Sequence, residues 1–154
     1  MRDSFPKAIH AALKGIGPFP RGVADAIIEV AYLTMAVDQE LRDEELNAFA
    51  LICGELSGQA PEERELYKRL DKLGEALDRA SILERLEKTA EVLGDDKAAK
   101  LAAYRVASLM ALADLDAADR EFEFDLDLIS TLGLSQEEAD KVADEVNEAL
   151  AAAS

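Results

Sequence analysis

The residues with the clearest chemical potential in this chain are acidic side chains that come in two matching groups. Each group reads acid-x-acid-x-x-acid-x-acid. The first contains Asp38, Glu40, Asp43 and Glu45, and the second contains Asp114, Asp116, Asp119 and Glu121. Carboxylates crowded into one turn repel one another unless a cation or hydrogen-bond donors compensate, and hard oxygen ligands suit Ca²⁺, Mg²⁺ or Mn²⁺. The pattern therefore predicts a divalent-cation site with all of these acids as candidate ligands.

Two other interpretations account for the same acids. In a purely structural one, Asp38 and Asp114 accept backbone N–H groups of their turns, while Glu45 and Glu121 cap the helices that they open. In the other, the acids form a docking surface for a basic protein partner and no metal is involved. An EF-hand is excluded, because that loop needs a glutamate at its twelfth position, which counted from Asp38 is Phe49.

Charge and composition limit the partners and the chemistry. The 154 residues include 17 basic and 33 acidic ones, for a formal net charge of −16. Such a field repels phosphate backbones and anionic lipid, so we expect no nucleic-acid partner and no insertion into a membrane. The lone Cys53 excludes an internal disulfide and predicts a buried structural thiol in a cytoplasmic protein. The lone His10 removes catalytic arrangements that need a second histidine, and we expect no enzyme.

The elements that position these acids are predicted to be helices. Apolar spacing predicts an all-α, single-domain bundle of about seven or eight helices, and the loops between them are short. We expect a helix that pauses at Gly74 and restarts near Asp78, and a capping box from Ser135 to Glu138. The seventh helix is predicted to bury its apolar face, made of Phe122, Leu126, Ile129 and Leu132.

An internal repeat organises the chain. We assign residues 1–20 to a short helix and a Gly/Pro linker, and residues 21–154 to a helical domain. A shift of 76 residues aligns 27–58 with 103–134 without a gap, and seven of the 32 positions are identical. Each copy contains a helix, an acidic turn and a second helix. The repeat thus predicts two similar helical hairpins, each carrying one of the acidic groups.

Residues 35–46 and 112–122 carry a resemblance to a known family. In each, a helix ends in an aspartate seven residues before a glutamate that opens the next helix. This resembles the TerB-like family, which includes tellurite-resistance proteins and the N-terminal domain of a DnaJ-type co-chaperone. The resemblance implies a non-enzymatic, cytoplasmic role in stress or metal resistance, in complexes near the inner membrane. It also implies divalent-cation binding by Asp38, Glu45, Asp114 and Glu121.

Overall fold

The computed structural model describes residues 5–37, 43–59, 61–113 and 118–153. Within these residues the chain forms eight α-helices packed into one bundle, which confirms the predicted all-α class. The helices are α1 (Phe5–Leu13), α2 (Arg21–Ala36), α3 (Asp43–Ser57), α4 (Glu63–Arg79), α5 (Ile82–Leu93), α6 (Lys97–Ala113), α7 (Ala118–Leu132) and α8 (Gln136–Ala153).

Helix α2 is the centre of the bundle. It packs against α6, α5 and α3, and its residues from Ala26 to Met35 are buried on every side. A helix that is apolar all round must be covered all round, and this run is apolar except at Glu29, Tyr32 and Thr34. The N-terminal helix α1 belongs to the same core, because Ile9 and Leu13 are buried where α1 meets α3 and α8.

Local hydrogen bonds fix the ends of several helices. At the start of α8, the Glu138 backbone N–H donates to Ser135 Oγ at 3.0 Å, and the Ser135 N–H donates to Glu138 Oε1 at 2.9 Å. This reciprocal pair is the predicted capping box. Helix α7 ends at Leu132, and the next residue, Gly133, has a φ of 70°, a conformation that glycine adopts without steric cost.

The predicted break at Gly74 is wrong. Helix α4 continues through Gly74 to Arg79, and the chain turns only at Ala80 and Ser81. Leucines at positions 70, 73 and 77 keep the helical period across the glycine, and one internal glycine costs a helix only about 1 kcal/mol. The stronger signal is Ser81, which caps α5 by accepting from the Glu84 N–H at 3.1 Å.

The predicted inner face of α7 is also partly wrong. Leu126 is 48% exposed, whereas Phe124 and Leu128 are buried. Residues 121–128 alternate acidic with apolar types, so two helical faces were nearly equivalent in hydrophobicity. Ile129 and Leu132 are buried as expected, and the side chain of Phe122 lies outside the described residues.

The two hairpins α2–α3 and α6–α7 follow the offset found in the sequence. A shift of 76 residues brings the bounds of α2 onto those of α6, and those of α3 onto those of α7, to within one residue. Burial agrees at many aligned positions. Examples of buried pairs are Val30 with Val106, Leu33 with Leu109, and Ile52 with Leu128.

Candidate functional site

The first acidic group ends in the first turn of α3, where its two described members have opposite environments. Asp43 is exposed, whereas Glu45 is only 1% exposed. A carboxylate at a helix start is favoured by the positive end of the helix dipole, which offsets part of the cost of removing it from water. Glu45 therefore lies on the inner side of the helix start and Asp43 on the outer side.

The other predicted ligands fall where the structure gives no side-chain detail. Asp38, Glu40, Asp114 and Asp116 lie outside the described residues. Asp119 and Glu121 belong to the first turn of α7, but their side chains also lie outside the description. Among the side chains that are described, no three His, Cys, Asp or Glu residues are grouped as metal ligands would be.

The two helices that lead into the acidic turns end close to each other. Thr34, near the end of α2, and Ala111 and Leu112, near the end of α6, line one pocket of about 340 Å³. We call it the Tyr104 pocket. Asp38 follows Thr34 by four residues, and Asp114 follows Leu112 by two. The helices that precede the two acidic groups in the sequence therefore approach their ends beside the same pocket.

A buried tyrosine and a carboxylate form the polar part of this pocket. Tyr104 is 4% exposed, and its hydroxyl donates a 2.7 Å hydrogen bond to Asp125 Oδ1. Burial and the bond to Asp125 raise the pKa of the Tyr104 phenol well above its usual value. The phenol therefore stays protonated at neutral pH and acts as a donor. Sequence reasoning missed this pair, although the repeat places Asp125 at the position of the core residue Phe49.

A second polar pair, also missed, ties α2 to α5. Arg85 donates from Nε and Nη2 to the two carboxylate oxygens of Glu29, at 2.7 and 2.8 Å. Glu29 is 9% exposed, and its hydrogen bonds to Arg85 raise the pKa of that guanidinium further. Two parallel N–H···O bonds satisfy the charge that burial isolates. The signal was a glutamate within the largely apolar, buried run of α2, where a charge requires a partner from another element.

The lone histidine and the lone cysteine have structural surroundings. His10 is exposed, and its Nδ1 lies 2.7 Å from Glu55 Oε1 of α3. Cys53 is 3% exposed on the inner face of α3, as expected for a structural thiol. Burial raises the pKa of the Cys53 thiol to about 11, so the nucleophilic thiolate is scarce at neutral pH.

Comparisons of the chain with protein-family models, with curated proteins and with solved structures found no match. None of the helices in the described part of the chain combines the length and apolarity that crossing a bilayer requires.

Proposed function

We propose that this chain is a non-enzymatic, cytoplasmic protein of the TerB-like type that binds a divalent cation through its two acidic turns and acts in stress or metal resistance. The observation that carries the proposal is the convergence of α2 and α6. Thr34 and Leu112, which precede the two turns, line the same pocket. In the proposed site, the acidic groups that follow these two helices bring negative charge together, and a divalent cation relieves that repulsion.

The helix dipoles favour the same assignment. Asp38 and Asp114 follow the ends of α2 and α6, where the dipole is negative and a carboxylate is disfavoured. Glu45 opens α3 at the positive end of the dipole and is buried. In the proposed site, the aspartates gain most from a cation, while Glu45 contributes an oxygen that is already ordered by burial. Ca²⁺, Mg²⁺ and Mn²⁺ are the candidate ions because all of the donors are hard oxygens.

A non-enzymatic role is supported by what surrounds the two residues best suited to acid-base or nucleophilic work at neutral pH. His10 faces solvent beside Glu55 and is not among the residues that line the Tyr104 pocket. Cys53 is buried with a pKa of about 11. Packing accounts for Cys53, and a hydrogen bond at the surface accounts for His10.

Thermal unfolding in matched salts tests the proposal. Millimolar Ca²⁺, Mg²⁺ or Mn²⁺ should raise the melting temperature more than NaCl of equal ionic strength, because a specific site stabilises by mass action at concentrations too low to screen charge. Asp38→Asn combined with Asp114→Asn should abolish this excess. Asp71→Asn combined with Asp144→Asn, which removes the same charge at exposed helical positions, should preserve it.

The opposite result would assign these acids a different role. If divalent and monovalent salts stabilise equally at matched ionic strength, cation binding is wrong, and the turns are capping groups or a docking surface for a basic protein. Titration of the wild type with a Lys/Arg-rich peptide then separates these two roles. Binding lost in the Asp38→Asn, Asp114→Asn protein but kept in the control would identify an adaptor.

A further inference from the structure

A groove lined by basic side chains runs between α2, α4 and α5, on a protein whose net charge is −16. Its volume is about 940 Å³. We call it the basic groove. Its cationic lining consists of Arg21, Lys68, Arg69, Lys72 and Lys88, against three carboxylates at Asp25, Glu29 and Glu65. The groove is therefore locally positive where the molecule as a whole is strongly negative.

Two of the three carboxylates are already matched by arginines. Arg69 Nη1 lies 3.2 Å from Asp25 Oδ1, and Arg85 binds both oxygens of Glu29. Within the described residues, Arg21, Lys68 and Lys72 make no ion pair, and Lys88 only approaches Glu91 at 4.0 Å. The positive charge of the groove is thus surplus, and it is available to an anion from outside the chain.

The groove also has apolar surface and a lightly packed wall. Val92 is 54% exposed, and Leu73 is half-buried beside it in the lining. Helix α4, which forms one wall, has no buried residue, and its half-buried leucines pack against the core. An occupant that covers Val92 must therefore carry apolar side chains as well as negative charge.

The spacing of the lysines indicates the shape of that occupant. Lys68 and Lys72 are four residues apart on α4, so they lie one helical turn apart on one face, with Cβ atoms about 6 Å apart. Carboxylates one turn apart on a partner helix repeat at the same interval. From this we propose that the basic groove is a docking site for an acidic amphipathic helix of a partner protein, with its carboxylates on Lys68 and Lys72 and its apolar residues on Val92 and Leu73.

The net charge of −16 does not prevent this association at physiological salt. At 0.15 M ionic strength the Debye length is about 8 Å, so carboxylates on distant faces are largely screened, whereas ion pairs in contact are not. At low ionic strength the screening length rises to about 30 Å, and the whole molecule then repels an acidic partner. Binding should accordingly strengthen as NaCl rises from about 10 mM to about 100 mM.

The test uses a fluorescein-labelled amphipathic helical peptide built only from Glu, Leu and Ala, with glutamates four residues apart on one face. Binding to the full chain is followed by fluorescence anisotropy at 150 mM NaCl. Lys68→Glu with Lys72→Glu should weaken binding at least tenfold. The matched control is Lys7→Glu with Lys14→Glu, which makes the same change in net charge at exposed positions outside the groove and should change affinity less than threefold.

Further arms decide between kinds of occupant. Val92→Ser should weaken binding of this peptide but not of an equally charged Glu/Ser peptide. The proposal would be overturned if the Lys7→Glu, Lys14→Glu control lost as much affinity as the Lys68→Glu, Lys72→Glu protein. It would also be overturned if the wild type showed no saturable binding up to millimolar peptide. Inorganic phosphate or the Glu/Ser peptide competing as well as the Leu-containing peptide would show a simple anion site instead. A wild-type dimer in sedimentation that Lys68→Glu with Lys72→Glu dissociates would assign the groove to a second copy of this chain.

Discussion

The helix bounds of the two hairpins correspond to within one residue, but different kinds of side chain pack between the helices. In α2–α3, Phe49 is fully buried, and its ring meets that of Tyr32 edge-on, with centroids 6.3 Å apart. The shift of 76 residues places Ser108 at the position of Tyr32 and Asp125 at that of Phe49. In α6–α7 these two smaller polar residues line the Tyr104 pocket.

A third aligned position completes the contrast. Ile28 is buried in the first hairpin, and the second has Tyr104 in its place, with its hydroxyl bonded to Asp125. Where the first hairpin has an aromatic pair, the second has a hydrogen bond between Tyr104 and Asp125 with a pocket beside it. The helices of such a hairpin can therefore pack around either apolar or polar side chains, provided that each buried polar group has a hydrogen-bond partner.

The largest effect expected from this contrast is at the position of Phe49. Phe49→Ala removes a fully buried ring and should lower the free energy of unfolding by about 3–5 kcal/mol. Asp125→Ala at the aligned position should cost only about 1–2 kcal/mol, because it removes one hydrogen bond beside an existing pocket. Urea unfolding measures both losses of free energy, and the m-values of the two variants should equal that of the wild type. Equal losses would mean that the two hairpins are packed alike.

The next prediction converts the second hairpin into the first. Asp125→Phe alone deprives the buried Tyr104 hydroxyl of its acceptor and should cost about 1–3 kcal/mol. Adding Tyr104→Ile and Ser108→Tyr reproduces the residues of the first hairpin, removes the orphaned hydroxyl and closes the pocket.

The triple variant should regain at least half of the stability lost in Asp125→Phe. Such non-additivity is expected only for residues that share one contact network. The comparison is made by urea unfolding of the two variants and of Tyr104→Ile with Ser108→Tyr. Strictly additive losses would show that the three positions pack independently.

The helices of these hairpins could be predicted from the sequence, but the side-chain contacts between the helices could not. Helical periodicity predicted about seven or eight helices, and the repeat predicted the two hairpins, because those signals are spread over many residues. The break between α4 and α5 was misplaced. The Tyr104–Asp125 and Glu29–Arg85 bonds join residues 21 and 56 positions apart, and no local pattern encodes such pairings. Within the candidate site, the burial of Glu45 was equally unpredictable, since a glutamate that opens a helix is commonly solvent-exposed.

A smaller effect distinguishes the hairpins at alkaline pH. Cys53 in α3 aligns with Ile129 in α7, which does not titrate. The Cys53 thiol has its pKa raised by burial from 9.0 to about 11, so the fold favours the protonated form. That contribution is complete below pH 9 and is lost as pH rises towards 11, because the unfolded thiol ionises first.

Between pH 9 and pH 10 the loss attributable to Cys53 should be about 1 kcal/mol. The free energy of unfolding is measured at both pH values for the wild type and for Cys53→Ala, which carries no thiol. The variant is expected to be less stable at pH 9 but to decline less over this interval. Parallel declines would assign the alkaline sensitivity to other groups, such as Tyr104, whose pKa is also raised by burial.

The smallest expected effect concerns Leu126, which aligns with Ala50 of the first hairpin. Because Leu126 is 48% exposed, Leu126→Ala should change the free energy of unfolding by no more than about 0.5 kcal/mol. Leu128→Ala is the control. Leu128 is 1% exposed and aligns with Ile52, so this substitution should lower the free energy of unfolding by about 2–5 kcal/mol. The alternation of acidic and apolar residues in α7 allows a rotated helix that would bury Leu126 and expose Leu128. Urea unfolding of the two variants separates these arrangements, because in the rotated one the order of the two losses would be reversed.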